Sequence, residues 1–473
     1  MDILTNLLAS FGNLGWTLVS FVVALSIIVF IHEYGHYIVG RWSGIHAEVF
    51  SIGFGKVLWS RTDKRGTVWQ IAALPFGGYV KFLGDANAAS VGGDAATGDG
   101  AEPTRFSEYL AETAERAPHA QAYVSALDSR NTMLGAPLWA RAATVAAGPI
   151  FNFILSFFVF AGLMLFQGQP ITPLTVSTVP SFPPAITQEL LPGDQVLAVE
   201  GRALDYPEGF SAAVADLPSQ PSLAYDIRRD GERMTVRGPQ PQPALVQSVT
   251  PRSAADDAGL KIGDVIVSMN GTPVYQFGDM VDVVTVTGAA PIALEVWRNG
   301  ELFTSTLTPR LAAIPQPDGS LKDEPKLGIG NGGLFFAPAT RTVGLWDSVT
   351  LAAQQVWFII VQSLNGLKQM IIGNINTCNL SGPVGIAETA GSMASQGAMS
   401  FITLIAVLST AVGLLNLFPI PVLDGGHLVF HAYEAVTGKM PSEGALRIFM
   451  AIGLALIGTL MLFAIGNDLL FCP

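Results

Sequence analysis

The sequence predicts an α-helical membrane protein with four transmembrane helices, a small membrane-associated β-sheet and two extracytoplasmic β-rich domains. Half of the 473 residues are hydrophobic and 13% are charged. That composition is too apolar for an ordinary soluble protein and too polar for membrane spans alone. Four windows are apolar enough to cross a bilayer, and a β-rich unit occurs twice between the second window and the third.

The four apolar windows approach or exceed the roughly 20 residues that a bilayer requires. They are residues 14–39, 138–166, 399–423 and 448–465. We expect the first to be a transmembrane helix and not a cleaved signal peptide, because no basic segment precedes it and its apolar run is too long. Polar residues interrupt a fifth stretch, 349–372, which we expect to lie on a membrane surface.

Lysine and arginine residues set the expected orientation. None precedes the first window, whereas six follow it between residues 41 and 81. Because basic residues stay on the cytoplasmic side, we expect both termini and residues 168–398 to face outward, and residues 41–137 to face the cytoplasm. The net charge of −12 argues against nucleic acid as a partner.

These patterns divide the chain into ten segments. They are the first transmembrane helix with HEYGH (1–43), a β-sheet (44–83), a flexible insertion rich in glycine and acids (84–137), the second transmembrane helix (138–167), two β-rich domains (168–240 and 241–311), an extracytoplasmic segment with the surface helix (312–398), the third transmembrane helix with an LDG motif (399–426), a cytoplasmic loop (427–447) and the fourth transmembrane helix (448–473). The two cysteines, Cys378 and Cys472, both fall outside and permit one bridge.

A small β-sheet is predicted just after the first window. Residues 48–55 and 67–82 alternate in polarity and carry aromatic side chains. Pro, Phe, Gly and Gly at 75–78 are a turn signal. We therefore expect a hairpin inside the membrane boundary and close to HEYGH.

Residues 170–311 contain an internal repeat. Residues 192–201 align with 262–271, and 228–232 align with 297–301. The two copies are 70 residues apart. A unit of about that length with short predicted strands resembles the PDZ domain in its bacterial, circularly permuted form. PDZ domains bind an extended peptide as an added strand. The first copy lacks the Ala-Gly-Leu element that the second has at 258–260. The alternative is that the two modules bind no peptide and act only as a steric block or as a spacer.

The motif HEYGH at 32–36 predicts a metal site. On a helix, His32 and His36 lie one turn apart and share a face. Two neutral imidazoles at that spacing can bind Zn²⁺, and Glu33 beside them can take a proton from metal-bound water. The alternative is a polar helix face at the membrane boundary, but ionisable groups within a span are functional by default.

A hydrolytic zinc site needs a third protein ligand. Asp424 is the stronger candidate, because it ends an otherwise uncharged span after two prolines that break the helix. His46 and Glu48 are alternatives. The histidines of HLVFH, His427 and His431, form a rival pair that lacks a neighbouring glutamate base.

These motifs together resemble the site-two protease family of intramembrane zinc metalloproteases. The resemblance rests on HEYGH in the first span, LDG at 423–425, the paired PDZ-like repeats, residues 73–81 and 381–385, and Gly148, Pro149 and Asn152. It implies a zinc metalloendopeptidase with His32, His36 and Asp424 as ligands and Glu33 as the catalytic residue.

The resemblance also implies substrates and partners. Family members cut single-span membrane proteins within or near the bilayer, after an upstream protease of site-one type has removed the extracytoplasmic domain. Typical substrates are anti-sigma factors, and some members cut remnant signal peptides. The PDZ pair is thought to exclude substrates that still carry the outer domain. The implied location is the lipid bilayer of the bacterial inner membrane, with the PDZ pair in the periplasm.

A transmembrane substrate must be unwound before hydrolysis, because its helix shields the peptide carbonyls. A β-edge formed by Ile71, Ala72, Ala73 and Leu74 could hold the unwound segment by strand addition, or could be a purely structural rim. Asn416 is a candidate partner for the substrate backbone, with a structural interhelical bond as the alternative.

Two other functions fit some of these residues. A zinc transporter would also place His and Asp in spans, but it would show repeats among the spans. A membrane-tethered PDZ scaffold would not need His32, Glu33, His36 and Asp424 intact. Zinc content and cleavage of a single-span reporter separate these functions.

Overall fold

The computed structural model describes residues 2–84, 118–204, 206, 210–251, 253–315, 321–330, 333–373 and 381–471. Most of the predicted insertion at 84–137, and both cysteines, lie outside the described residues. The chain divides into two compact units. The first comprises Met1–Ala161, Ala352–Leu364 and Ser381–Pro473, and the second comprises Gly162–Leu351 and Asn365–Leu380.

The described helices are α1 (Asp2–Trp42), α2 (Gln121–Val124), α3 (Leu138–Gln167), α4 (Phe210–Ala215), α5 (Ala254–Asp257), α6 (Phe277–Thr287), α7 (Leu345–Ile372), α8 (Pro383–Ser395), α9 (Ala398–Asn416), α10 (Asp424–Thr437) and α11 (Glu443–Gly466). The strands of the first unit are β1 (Ala47–Thr62) and β2 (Val68–Phe82). Those of the second are β3 (Gln169–Pro170), β4 (Val176–Thr178), β5 (Gln195–Val199), β6 (Arg202–Ala203), β7 (Leu223–Arg229), β8 (Glu232–Gly238), β9 (Ser248–Val249), β10 (Val265–Met269), β11 (Thr272–Pro273), β12 (Ile292–Arg298), β13 (Glu301–Leu307), β14 (Arg310–Pro315), β15 (Leu321–Lys326), β16 (Ile329–Gly330), β17 (Ala337–Pro338) and β18 (Thr340–Arg341).

Four helical segments in the described part of the chain are long and apolar enough to cross a membrane. They are Gly15–Trp42, Leu138–Gln167, Ala398–Asn416 and Gly444–Leu469. They coincide with the four apolar windows, so the prediction of four such helices is confirmed. Helix α7 is not among them, because glutamines, an asparagine and a lysine interrupt its apolar face.

Helices α3 and α9 approach closely through small residues. Ser156 Oγ donates a hydrogen bond to the carbonyl of Ala406 at 2.7 Å, and Ser409 Oγ donates to the carbonyl of Asn152 at 2.9 Å. A Cβ on Gly413 would lie 3.0 Å from the carbonyl oxygen of Pro149. Such contacts are typical of helix pairs in membranes, where small residues and hydroxyl groups replace a hydrophobic driving force.

The last described turn of the chain caps another helix. Asp468 is buried and accepts hydrogen bonds from the backbone N–H groups of Gly382 and Gly385, both at 3.0 Å. These donors lie at the start of α8, whose N-terminal N–H groups have no partner within the helix. Helix α8 in turn packs on α1, where a Cβ on Gly391 would meet Thr17.

Strands β1 and β2 form the predicted small sheet, but the predicted turn at 75–78 is wrong. The hairpin turns at Asp63, whose Oδ1 accepts from the backbone N–H groups of Arg65 and Thr67 at 2.8 and 3.1 Å. Gly77 and Gly78 lie inside β2, where a Cβ would meet the Phe54 ring and the Ser51 carbonyl. These glycines permit close packing rather than a turn.

The sheet curves so that residues 49–52 of β1 pair with 68–71 and also with 78–81 of β2. Its inner face packs on α1 through a cluster of aromatic side chains. The Phe50 and Trp69 rings stack with centroids 4.4 Å apart, and Tyr37 meets both edge-on. This packing fixes β2 against the end of α1 that carries HEYGH.

The second unit contains the sequence repeat as a structural repeat. Its two four-stranded sheets have equivalent orders, β6-β5-β7-β8 and β11-β10-β12-β13. In each copy a buried aspartate receives two hydrogen bonds from an arginine, Asp194 from Arg229 and Asp264 from Arg298, at 2.6–2.7 Å. Each copy also pairs with a short strand that follows the repeat in sequence. β17 pairs with β4 of the first copy, and β16 pairs with β9 of the second.

Candidate active site

The HEYGH motif lies near the end of α1. His32 and His36 are one helical turn apart, with ring centroids separated by 4.8 Å. Their Nε2 atoms point at each other across 3.2 Å. Both side chains are mostly buried, with 12% and 11% of their surface exposed. Two imidazole nitrogens at this distance need a proton or a cation between them.

Asp424 approaches the same point from α10. Leu423 is extended, so the helix begins at Asp424 itself. Gly425 and Gly426 sit against the backbone of 417–421, where no side chain would fit. The Oδ2 atom of Asp424 lies 3.1 Å from His32 Nε2 and 3.5 Å from His36 Nε2.

The three side chains fit a zinc ion. Among the described residues they form the one group of three metal-ligating side chains, with ligand atoms within 4.8 Å of one another. A tetrahedral zinc site with bonds of about 2.0–2.1 Å places its ligand atoms roughly 3.3 Å apart. Asp424 Oδ2 is buried and lacks a hydrogen-bond partner, as expected of an atom meant for a cation.

Helix α3 orients both histidines. His36 Nδ1 lies 2.8 Å from the backbone carbonyl of Thr144, and a carbonyl can only accept. Nδ1 therefore carries the proton, which leaves the Nε2 lone pair free for a metal. His32 Nδ1 lies 3.1 Å from the side-chain amide of Asn152. Sequence reasoning missed Thr144, since a backbone carbonyl leaves no side-chain signal.

The Asn152 amide supports the same protonation state at His32. Asn152 is fully buried, and its Oδ1 lacks a hydrogen-bond partner while Nδ2 faces His32. The oxygen and nitrogen of an amide are nearly interchangeable in shape. With Oδ1 facing the ring, it accepts the proton of His32 Nδ1, and His32 Nε2 is then also available to a metal.

A glycine allows α3 to approach the histidines. A Cβ on Gly148 would collide with His36 Nε2 and would lie 2.9 Å from His32 Cε1. A Cβ on Gly35 would likewise lie 2.6 Å from the carbonyl oxygen of Ala147. Both glycines are therefore required by close packing at the site.

Glu33 lies between the metal-ligating group and β2. Its carboxylate interacts electrostatically with His32, His36 and Asp424 and accepts a hydrogen bond from the backbone of Val80. A Cβ on Gly78 would lie 3.1 Å from Glu33 Cγ. Glu33 is thus beside the three possible ligands without being one of them.

The alternative ligands are not members of this group. Burial lowers the pKa of His46 to about 4, and Glu48 pairs with Lys81 at 2.7 Å. His427 and His431 share a face of α10, but within the described residues no third side chain completes a group with them. None of these four residues joins the group of His32, His36 and Asp424.

The predicted substrate-binding residues are partly exposed. In β2, Ile71 and Leu74 are 45% and 52% exposed, Ala73 is exposed and Ala72 is buried. Ile71 pairs with Ile52 on one side and with Trp59 on the other, so the predicted open edge is wrong at this residue, and Leu74 pairs with Phe54. Asn416 Nδ2 donates a hydrogen bond to the Val412 carbonyl of its own helix at 3.1 Å, rather than to another helix.

Among the solved structures that part of the chain resembles is a single PDZ domain of low similarity. The PDZ domain of the SdrC-like protein from Listeria monocytogenes is 18% identical, covers 19% of this chain and 88% of that one, and has a TM-score of 0.16. Such a score carries no argument about the fold.

Comparison with known sequences is more informative. The model of peptidase family M50 matches residues 20–460. A Rhizobium meliloti protein named as a zinc metalloprotease is 34% identical over 457 residues, 97% of each chain. The regulator of sigma-E protease RseP of Escherichia coli is 32% identical and spans 96% of this chain and 98% of its own. The chain therefore belongs to peptidase family M50 and is a zinc metalloprotease.

Proposed function

We propose that His32, His36 and Asp424 hold the catalytic zinc and that Glu33 is the general base. The observation that carries this proposal is the meeting of three Lewis-base atoms, His32 Nε2, His36 Nε2 and Asp424 Oδ2, at 3.1–3.5 Å. They come from helices almost 400 residues apart in sequence, so neither motif alone accounts for their meeting.

The chain's own residues then have distinct roles. Zinc, when bound, supplies the Lewis acidity that activates water and polarises the scissile carbonyl. Glu33 takes a proton from the attacking water, whose oxygen adds to the carbonyl carbon, and delivers it to the leaving amine as the C–N bond breaks. Thr144 and Asn152 keep both imidazoles neutral and aimed at the metal.

The substrate is a single-span membrane protein whose helix is unwound at the site. The part of β2 at Ala72, Ala73 and Leu74 holds the unwound segment as an added strand, whereas Ile71, which already pairs with Ile52 and Trp59, lines the approach with its side chain only. Support comes from the position of this strand, which continues through Gly78 past Glu33. Asn416 uses its remaining amide hydrogen and oxygen to bind substrate backbone.

The names of the relatives favour a role in sigma-factor regulation. RseP is named a regulator of sigma-E protease, and we infer anti-sigma-type substrates, with remnant signal peptides as a further class. Cleavage follows removal of the substrate's outer domain by a site-one type protease. The two PDZ-like domains at 168–240 and 241–311 face the periplasm of a bacterial inner membrane and act as a size filter.

The orientation and the filter can each be measured. A cysteine placed at residue 90 is labelled only from the cytoplasm and one at 230 only from outside. Deletion of 172–310 permits cleavage of a substrate whose folded outer domain is still attached. Inverted labelling contradicts the orientation, and unchanged discrimination shows that the filter lies elsewhere.

The test of the proposed chemistry is Glu33→Gln in the full-length protein. Glutamine keeps the shape but cannot accept the proton, so zinc content should match wild type. Cleavage of a single-span reporter should fall by roughly 10²–10⁴-fold, the effect of losing a general acid–base group. Uncut substrate should co-purify with this variant.

Three outcomes would contradict the proposal. Near-normal cleavage by Glu33→Gln at matched zinc content removes Glu33 from the mechanism. Loss of zinc from Glu33→Gln makes Glu33 a ligand rather than a base. Zinc flux across vesicles, measured in parallel, should be absent from both proteins, and flux in wild type that disappears in the variant favours a transporter.

A further inference from the structure

A buried ion pair joins α3 to α10 beside the candidate site. Arg141 Nη2 donates to Glu434 Oε1 at 2.6 Å, and the two side chains are 8% and 16% exposed. The residues are 293 positions apart, and neither belongs to a motif that predicted the metal site. The mechanism above gives this pair no role.

The two partners stand on the helices that build the metal site. Arg141 lies at the start of α3, three residues before Thr144, and the same helix carries Asn152, so α3 orients both histidines. Glu434 lies on α10, whose first residue is Asp424. The ion pair therefore connects the helix that orients two ligands to the helix that supplies the third.

Few side chains of helix α10 are buried, and the Phe430 ring packs on Phe449 of α11 with centroids 6.1 Å apart. All side chains of α10 are described, and only Gly425 and Gly426 are buried. Val429, Tyr433 and Val436 are 49%, 50% and 87% exposed. Glu434 stands ten residues, or about 15 Å, from Asp424, so a small change in the tilt of α10 moves the Asp424 carboxylate.

A buried ion pair is weak evidence for a contribution to stability. Replacing a buried pair by apolar residues is often neutral or stabilising, because both charges must be taken out of water. Here Arg141 Nε is also buried without a hydrogen-bond partner, a further unfavourable contribution. Such a pair is better explained by the geometry that it fixes than by the stability that it adds.

We propose that Arg141 and Glu434 are positioning residues of the metal site. Their ion pair fixes α10 against α3, and it thereby keeps Asp424 Oδ2 in reach of the Nε2 atoms of His32 and His36. This inference rests on the proposed function, in which Asp424 is a zinc ligand.

The test separates positioning from stability. In Arg141→Met/Glu434→Leu, both charges are removed together, so neither partner is left buried and unpaired. The zinc dissociation constant is measured by chelator competition on the full-length protein, and thermal melting is measured on its zinc-free form. We expect zinc binding to weaken by roughly 10–100-fold, as for lost outer-shell partners. The melting temperature of the zinc-free protein should equal or exceed that of wild type.

Matched variants complete the experiment. Lys439→Met removes an exposed basic charge just after α10 and should bind zinc as wild type does. Asp424→Ala should weaken zinc binding at least as much as the double variant. If Asp424→Ala weakens binding and the double variant does not, the positioning proposal alone is wrong. If Asp424→Ala binds zinc normally, the ligand assignment and the positioning proposal both fail.

Discussion

Two helices of this protein each carry histidines four residues apart, and the two pairs have different surroundings. On α1, His32 and His36 face the Asp424 carboxylate at 3.1 and 3.5 Å, and α3 supplies a partner to each Nδ1 atom. On α10, His427 and His431 have the same spacing. Within the described part of the chain, however, they lack a third ligand.

The difference teaches that helical spacing alone does not make a metal site. The second pair lies near a fixed positive charge, because Arg141 acts electrostatically on His431 and helps to lower its pKa. Glu434, which pairs with Arg141, opposes that effect, so the charges beside the second pair are balanced, whereas the α1 pair faces the Asp424 carboxylate. A site needs convergent ligands of suitable charge and outer groups that set the tautomers.

The largest expected effect is a loss of zinc when a histidine of the α1 pair is replaced by alanine, compared with the same replacement in the α10 pair. His36→Ala removes an Nε2 ligand and should reduce zinc from one ion per chain to none, with complete loss of reporter cleavage. His431→Ala removes an equivalent ring from α10 and should leave one zinc per chain. Metal analysis of the purified proteins checks both.

The reverse result would contradict the comparison. If zinc is retained by His36→Ala and lost from His427→Ala or His431→Ala, the catalytic metal belongs to α10. Partial loss from every variant alike would mean that the histidines act only on folding, which far-ultraviolet circular dichroism of the same samples would reveal.

A smaller effect is expected when α3 is pushed away from the α1 pair. Gly148→Ala places a methyl group against both histidine rings. Overpacking costs about 1–3 kcal/mol, so zinc affinity should fall by roughly 10–100-fold. Gly162→Ala is the matched control on the same helix, because a Cβ there meets nothing within 4 Å. Equal zinc affinities in the two variants would show that the close approach is not needed.

Much of this site could be predicted from sequence because each half is a local pattern. His32 and His36 share a helical face by spacing alone, and Asp424 stands out as a charge at the end of an apolar window. The four apolar helices follow from composition. The repeat follows from alignment, and the paired Asp194–Arg229 and Asp264–Arg298 contacts give it a physical basis.

Other features depend on contacts that no local pattern records. The Thr144 carbonyl is backbone, and Arg141 and Glu434 are 293 residues apart. A glycine at a turn and a glycine at a close approach have the same letter in the sequence. That ambiguity explains why 75–78 was wrongly predicted as a turn, when Gly77 makes room for the Phe54 ring instead.

A smaller loss of zinc affinity is expected when Asn152, the hydrogen-bond partner of His32 Nδ1, is replaced. Asn152→Leu keeps the approximate volume but removes the hydrogen bond to Nδ1. Zinc affinity should fall by about tenfold, the lower end for outer-shell partners, since His36 keeps its own partner at Thr144. Asn416→Leu, which removes a second amide in the same unit, should leave zinc affinity unchanged and lower reporter turnover. Equal zinc affinities in Asn152→Leu and wild type would assign Asn152 to helix packing only.

The smallest expected effect is a pH dependence of the free energy of unfolding that comes from His431 on α10. Burial lowers the pKa of His431 from about 6.5 to about 4, helped by the positive charge of Arg141 and by His427, and opposed by Glu434. Between those values the unfolded chain binds a proton at this residue and the folded chain does not. The stabilisation is therefore fully present above pH 6.5 and is lost as the pH falls towards 4.

This dependence separates a neutral buried ring from a metal ligand. Zinc-free wild type should lose on the order of 1–2 kcal/mol more stability than His431→Asn between pH 7 and pH 5, a figure reduced for the partial exposure of the ring. Thermal melting at both pH values measures the difference, and His119→Asn, which removes an exposed ring, should behave as wild type does. A His431→Asn variant with the pH dependence of wild type would mean that His431 protonates alike in both states. The contrast between the two pairs would then rest on ligand geometry alone.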